Sequence, residues 1–123
     1  MHSVNPDFHW LVGLFEGEGT FIPGAPSQPR RASVIVVTTD EDVIARAAKL
    51  MGTSYFERKR KTAPAHWKPI FEARLRGGAA VRFMDAVRPY MGARRQVQID
   101  RATACVNRDE PRLKGGTIPV LDK

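Results

Sequence analysis

Polar and apolar residues near the start of the chain predict a helix that is buried on more than one side. Asn5 is a suitable N-cap, Pro6 suits the first helical position, and Asp7 favours the positive end of a helix. The helix is predicted to run to about Gly17. Its apolar residues surround the axis instead of forming one stripe, which is the pattern of a helix with more than one packed face.

In the rest of the chain, segments in which apolar residues recur every second position alternate with segments in which they recur every three or four positions. Segments with a period of two predict strands, and a Pro-rich stretch between the first two strands predicts a hairpin loop. Apolar spacings of three and four residues predict the later helices. Strands are predicted at 20–25, 31–38, 54–60 and 66–76, with helices at 40–51, from about 80 to a stop at Pro89, and at 93–106.

This order predicts an α+β fold of the type αββαββα, in which one antiparallel sheet carries helices on one face. The other face of the sheet is then free. The chain is short enough for a single core, and we assign one domain to residues 1–106. Residues 107–123 show no useful periodicity and are expected to form a basic, loosely held tail.

Charge is unevenly distributed along the chain. The formal net charge is +7, and all 20 Lys and Arg residues lie at or after Arg30. This excess of positive charge favours a polyanionic partner, with nucleic acid the leading candidate, although a uniformly basic surface is the alternative.

The cellular compartment is also constrained by the sequence. The single Cys105 cannot form an intrachain disulfide, and no stretch is long enough to span a bilayer. We therefore expect neither secretion nor membrane insertion and place the protein in the cytoplasm or wherever its host genome resides.

The candidate chemistry lies in the segment LVGLFEGEG, residues 11 to 19. Gly13 and Gly17 are four residues apart and therefore share a helix face along which two helices can approach closely; packing against the chain's own sheet is the alternative. If two copies pack in this way, their Glu18 carboxylates meet at the symmetry axis and require cations. Mg²⁺ fits, since it combines one or two carboxylates with water and phosphates. A capping or solvated role for Glu18 is the alternative.

At this point the chain resembles a known family. WLVGLFEGEGTF, residues 10 to 21, resembles the signature helix of LAGLIDADG homing endonucleases, with Glu18 at the position of the metal-binding acidic residue. Residues 40–52 and 87–98 resemble the family's second helix and its Pro-aromatic connection. Only one signature motif is present, so the resemblance implies a homodimer in which two sheets form a saddle over DNA.

The resemblance also implies roles for individual residues. Glu18 would bind the metal with help from the main-chain carbonyl of Gly17. Arg94 stands where the family often has a Lys, and we expect an electrostatic role for it, with Arg95 as the alternative. Thr38 stands near the position where many members of the family have a Gln that tethers active-site water, and its hydroxyl can still form a hydrogen bond there with a shorter reach. The signature helix would form the dimer interface through Leu11, Val12, Gly13, Phe15, Glu16 and Gly17.

The free sheet face is expected to read base edges in the major groove. Basic residues near the hairpins, including the run Arg58 to Lys61, are expected to contact phosphates, and tail residues Arg108, Arg112 and Lys114 could add to this. From strand alternation and charge, we assign DNA contacts to Thr20, Ile22, Arg30, Arg31, Ser33, Ile35, Tyr55, Glu57, Lys59, Lys68, Glu72 and Arg74.

These expectations combine into one functional hypothesis. The sequence is typical of a Mg²⁺-dependent endonuclease that acts as a homodimer on double-stranded DNA and makes a staggered break at a long pseudo-palindromic site. Two alternatives stay open: a DNA-binding regulator that keeps the fold without cleavage, and an RNA-splicing maturase that uses the same basic surface.

Overall fold

The computed structural model describes residues 5–59, 67–106 and 117–122. The elements are α1 (Pro6–Glu18), β1 (Gly19–Ile22), β2 (Ser33–Thr38), α2 (Glu41–Met51), β3 (Tyr55–Arg58), β4 (Ile70–Arg76), α3 (Gly78–Val87), a short 3₁₀ turn (Arg88–Tyr90) and α4 (Ala93–Ala102). The predicted α+β order is confirmed. The strands are shorter than predicted, because fewer residues pair with a neighbouring strand.

Local signals explain where the first two helices begin and end. The Asn5 side chain accepts a hydrogen bond from the Phe8 amide at 3.1 Å, which caps α1 as predicted. α2 ends at Gly52, whose φ of 79° is a left-handed conformation that glycine adopts without strain. At the N-cap of α2, the Asp40 side chain makes no capping bond, while its amide donates to Thr38 Oγ1 at 3.2 Å.

The four strands form one antiparallel sheet in the order β1-β2-β4-β3. The helices cover one face, which we call the inner face, and the hydrophobic core lies between them and the sheet. Phe15, Phe83 and Ile44 from the helices and Val34 and Val36 from β2 are completely buried in this core. The opposite face, which we call the outer face, carries no helix in the described ranges.

The end of the chain returns to the core. Ile118 and Val120 are both buried, the Val120 amide donates to the Leu50 carbonyl at 3.1 Å, and Asn5 donates to the Val120 carbonyl at 3.2 Å. Residues 117–122 are therefore packed against α1 and α2. The division into a domain of residues 1–106 and a flexible tail stays a prediction, and tail residues Arg108, Arg112 and Lys114 lie outside the described residues.

Candidate acidic site and nucleic-acid interface

Glu18 lies at the junction between α1 and β1. It is the last residue of α1, and Gly19 begins β1 without an intervening loop while its amide still donates to the Phe15 carbonyl. An added Cβ at Gly19 would lie 2.6 Å from that carbonyl oxygen, so the sharp turn requires glycine here. The Glu18 carboxylate is exposed and makes no hydrogen bond or ion pair with the part of the chain that the structure describes.

The side chain of Arg95 holds this junction in place. Its Nε donates to the Glu16 carbonyl at 3.0 Å, Nη1 donates to the Gly19 carbonyl at 2.7 Å, and Nη2 donates to the Gly17 carbonyl at 3.4 Å. Only 8% of Arg95 is exposed. Its positive charge therefore satisfies carbonyls at the negative end of α1, which would otherwise have no partner in the helix.

The two arginines at the start of α4 thus differ in position. Arg94 is exposed and its guanidinium has no partner among the described residues, whereas Arg95 reaches the base of α1. The carbonyl oxygen of Gly17, which was predicted to assist a metal, accepts a hydrogen bond from Arg95. The roles of Arg94 and of the Gly17 carbonyl in metal chemistry stay predictions.

Glu16, two residues before Glu18, is bound within its own chain. Its Oε1 accepts from the Gly92 amide at 2.6 Å, and Oε2 lies 3.7 Å from Arg95 Nε. This links α1 to the segment before α4. The Glu16 carboxylate therefore stabilises the packing of its own subunit. Among the three acidic residues on α1, only Glu18 has a carboxylate without a partner in the described chain.

The faces of α1 differ from the predicted dimer interface. Leu11 and Phe15 are completely buried in the subunit core, so assigning them to a contact with a second copy was wrong. Helical periodicity places them opposite Gly13 and Gly17. Both glycines are exposed, and a Cβ added at either would meet nothing within 4 Å. Val12 is half-buried at the side of this open face.

Two apolar residues beside the glycines were missed. Trp10 and Leu14 are both half-buried, and the Arg46 guanidinium lies over the Trp10 ring, 4.1 Å from its centroid. Their spacing from Gly13 and Gly17 along α1 puts them next to the open face. The signal was available in the sequence, because apolar residues surround this helix.

The outer face carries six of the twelve residues predicted to contact DNA. Cross-strand pairs share a face, and the register joins Thr20 to Ile35 and Ile35 to Arg74 in one row and Ile22 to Ser33 in another. The buried inner-face neighbours Val34 and Val36 fix this alternation in β2. The outer-face residues of the described strands are Thr20, Ile22, Ser33, Ile35, Val37, Phe56, Arg58, Ile70, Glu72, Arg74 and Arg76.

The predicted register of β3 was wrong by one residue. Tyr55 pairs with Ala73 and Glu57 pairs with Phe71, which places both on the inner side of the sheet. The Tyr55 hydroxyl donates to Glu41 of α2 at 2.9 Å, and this hydrogen bond, with smaller effects of desolvation and nearby charge, raises the Tyr55 pKa above its ordinary value. The outer positions belong to Phe56, which was missed, and to Arg58, which was expected to contact phosphates.

Thr38 also lies on the inner side. It pairs with Phe71, and its hydroxyl accepts from the Asp40 amide at the start of α2. The predicted water-tethering role was therefore assigned to a residue on the wrong face. Val37 is the outer-face residue next to Val36, the partner of Gly19, so an apolar side chain occupies the position in β2 nearest to Glu18.

Glu72 is covered by two arginines. Only 1% of it is exposed, although it lies on the outer face, because Arg58 and Arg74 both form ion pairs with its carboxylate. The sequence predicted Glu72 as a direct DNA contact. Its position on the outer face agrees with that prediction, but a direct contact does not, since the two guanidiniums cover both carboxylate oxygens.

The other basic residues that were predicted to contact DNA lie in loops. Arg30, Arg31, Lys59 and Lys68 are exposed and outside the strands, because β2 begins at Ser33 and β4 begins at Ile70. Lys59 directly follows β3, and the two arginines lie two and three residues before β2. The predicted run continues to residues 60 and 61, which lie outside the described residues.

The described residues contain no group of three or more His, Cys, Asp and Glu side chains that could hold a metal ion by themselves. Within these residues, no helix is both long and apolar enough to cross a lipid bilayer. Among the described residues, Glu18 would therefore need other kinds of ligand to hold a divalent ion, such as a main-chain carbonyl, water, phosphate or the carboxylate of a second copy.

Comparison with solved structures identifies the fold. The chain is similar to the homing endonuclease I-CvuI in complex with the I-CreI target, solved in the presence of 2 mM Mg with the DNA not cleaved, with a TM-score of 0.51 and 19% identity. The match covers 77% of this chain and 60% of the I-CvuI chain. A structure of I-CvuI with its own target and 2 mM Ca gives a TM-score of 0.49, also at 19% identity and with the same coverage.

The sequence comparisons add no closer relative. No protein-family model matches the chain, and no curated protein matches it. The similarity to I-CvuI therefore establishes a homing-endonuclease-like fold, and the chain spans only about 60% of the length of that enzyme.

Proposed function

We propose that this protein is a sequence-specific DNA endonuclease of the LAGLIDADG homing type, which acts as a homodimer and cuts both strands of a pseudo-palindromic site. The observation that carries this proposal is the position of Glu18. This carboxylate, which has no partner in the part of the chain that the structure describes, stands at the end of α1, between an open glycine face on one side and an arginine-bearing sheet face on the other.

The open face of α1 supports the dimer. Gly13 and Gly17 leave space that nothing in the described subunit fills, flanked by the half-buried Trp10 and Leu14. Two such faces can pack at very short interaxial distance, since neither presents a side chain at the crossing. A two-fold axis there brings the two Glu18 side chains together, which explains why repulsion must be offset by cations.

The chemistry expected at the junction is hydrolysis of a phosphodiester. The Glu18 carboxylate would hold a divalent ion such as Mg²⁺, together with water and DNA phosphate; when bound, such an ion supplies a nucleophilic water and neutralises charge at the scissile phosphate. Water would add to phosphorus as the bond to the leaving sugar oxygen breaks, giving one free phosphate end on each strand. Arg95 would act as a positioning residue, because it fixes the carbonyls on both sides of Glu18.

The outer face would supply recognition. Arg74 and Arg76 of β4 and Arg58 of β3 give this face positive charge, and exposed Arg31 and Lys59 border it. Basic side chains release counterions from DNA and so contribute affinity that falls with salt. A twisted antiparallel ribbon of this kind can enter the major groove, where base edges are distinguishable.

A DNA-binding protein without cleavage is the second candidate. Two observations favour it. The outer-face residue of β2 nearest to Glu18 is the apolar Val37 and not a polar residue. The Gly17 carbonyl already accepts a hydrogen bond from Arg95. Such a protein would keep the recognition surface and lose the hydrolytic step.

Cleavage of a randomised duplex DNA library in the presence of Mg²⁺ distinguishes these functions. We expect staggered cuts at a pseudo-palindrome, and a cleavage rate at least about a hundredfold lower for Glu18→Gln with DNA binding retained. Asp42→Asn is the matched control, since it removes one exposed carboxylate at the start of α2 and should cut normally. Selective binding by the wild-type protein without any cutting would leave the second candidate.

A further inference from the structure

The most buried charge on the outer face is the carboxylate of Glu72. It is 1% exposed in the middle of β4, while the arginines that cover it are 47% exposed for Arg58 and 29% exposed for Arg74. The guanidiniums therefore form the accessible surface, and the carboxylate lies beneath them. This arrangement crosses the sheet from β4 to its neighbour β3.

Each carboxylate oxygen of Glu72 accepts hydrogen bonds from one edge of one guanidinium. Arg58 donates to Oε1 through Nε, at 3.0 Å, and through Nη2; Arg74 donates to Oε2 through Nε and also reaches it through Nη2. The Arg74 guanidinium carbon also lies 5.9 Å from the centroid of the exposed Phe56 ring. Both guanidinium planes are thus fixed by contacts on the sheet.

Fixing the Nε edge leaves the other edge of each arginine available. A guanidinium has five N–H donors in a rigid fork, and the Nε and one Nη2 hydrogen are used here. The two terminal nitrogens still present a pair of parallel donors. This pair matches the O6 and N7 acceptors of guanine in the major groove, a geometry that a lysine ammonium cannot reproduce.

Stability alone does not account for a buried carboxylate at this position. Glu72 is flanked in the register by Val37 of β2 and Phe56 of β3, so an apolar residue would continue an apolar row. Replacing a buried ion pair by packed apolar residues is often neutral or stabilising. What the carboxylate does supply is a fixed orientation for two guanidiniums.

We propose that Glu72 is a positioning residue that holds Arg58 and Arg74 as a paired reader of guanine bases. This inference rests on the proposed DNA-recognition function and deepens it: Arg58 and Arg74 contact the bases, and Glu72 sets their planes from below. The sheet then specifies two guanines in each half-site, on either strand, at neighbouring positions of the major groove.

Binding selection from a duplex DNA library with randomised half-sites tests this inference, carried out with EDTA so that no cleavage occurs. We expect the wild-type protein to enrich guanine at two positions, and Glu72→Gln to lose about tenfold discrimination at both. Its affinity for random DNA should not fall, because one negative charge is removed from the surface. Arg58→Lys and Arg74→Lys should each lose discrimination at one position.

Arg101→Lys is the matched control, since it makes the same change at an exposed arginine of α4 instead of on the outer face of the sheet. It should keep both guanine preferences. An unchanged preference in Glu72→Gln, or a loss of affinity spread equally over all sequences in the two lysine variants, would overturn the inference and assign these arginines to phosphates.

Folding of each variant is checked by circular dichroism. If Glu72→Gln fails to fold, the two lysine variants decide the matter by themselves, because they keep the charge and remove the fork. A wild-type protein that enriches no sequence would instead contradict the proposed recognition function. Failure of the inference is therefore distinguishable from failure of that function.

Discussion

Arg95 shows how one side chain can decide the shape of a site without touching a substrate. Its guanidinium donates to main-chain carbonyls of Glu16, Gly17 and Gly19, which together surround the backbone of Glu18. Hydrogen bonds from a charged donor are stronger than neutral ones, and a buried carbonyl that loses its partner keeps its desolvation cost.

We expect Arg95→Met to lower the free energy of unfolding by about 3 kcal/mol, because it keeps the side-chain volume and removes all these donors. Urea unfolding monitored by circular dichroism measures the change. Arg94→Met is the control, and its effect should stay within about 0.5 kcal/mol, since Arg94 is exposed. Equal stability of the two variants would show that the Arg95 contacts do not hold the junction.

The same pair of residues shows where sequence reasoning stops. Arg94 and Arg95 are adjacent at the start of α4, and consecutive helical positions point in directions about 100° apart. Nothing local distinguishes them. Which one reaches the base of α1 depends on how α4 packs beside β1, a long-range contact that the sequence pattern does not contain.

Elements differed in how well the sequence predicted them, for reasons visible in particular residues. α1 was predicted well because Asn5, Pro6 and Asp7 mark its start locally. The register of β3 was not, because YFER has an aromatic residue and a charged residue on each face, so no apolar face selects the alternation. By contrast, Val34 and Val36 of β2, together with Ala32 just before it, are buried in the core and select one alternation.

The open face of α1 gives a prediction in which stability and association change in opposite directions. Gly13→Ala places a methyl group where nothing lies within 4 Å, and alanine favours a helix over glycine by about 1 kcal/mol. The isolated subunit should therefore become more stable. In the proposed dimer the same methyl group lies between two helices, and we expect the dissociation constant to rise at least about tenfold.

Sedimentation equilibrium measures the association, and urea unfolding at low protein concentration measures the subunit. Lys49→Ala, a change at an exposed residue of α2, controls for substitutions on a helix surface away from the glycines and should leave association unaltered. A Gly13→Ala variant that associates as tightly as the wild type would place the contact between copies on another surface.

At the scale of the whole molecule, the first and last described segments of the chain contact each other. Ile118 is completely buried, Val120 is nearly so, and Asn5 at the start of α1 donates to the Val120 carbonyl. Arg82 of α3 also pairs with Asp122 at 2.6 Å. Residues 117–122 thus contact elements from the beginning and the middle of the chain, and the stability of the core depends on a segment far from it in sequence.

We expect Ile118→Ala to lower the free energy of unfolding by about 3 kcal/mol, because it leaves a cavity beside the core cluster. Val97→Ala removes methyl groups from a valine that is 55% exposed on α4, and its effect should stay within about 0.5 kcal/mol. Urea unfolding of both variants gives the comparison. If Ile118→Ala unfolds at the wild-type midpoint, residues 1–106 form a self-sufficient domain. A large loss instead makes the end of the chain part of the scaffold that supports α1, and therefore part of what positions Glu18.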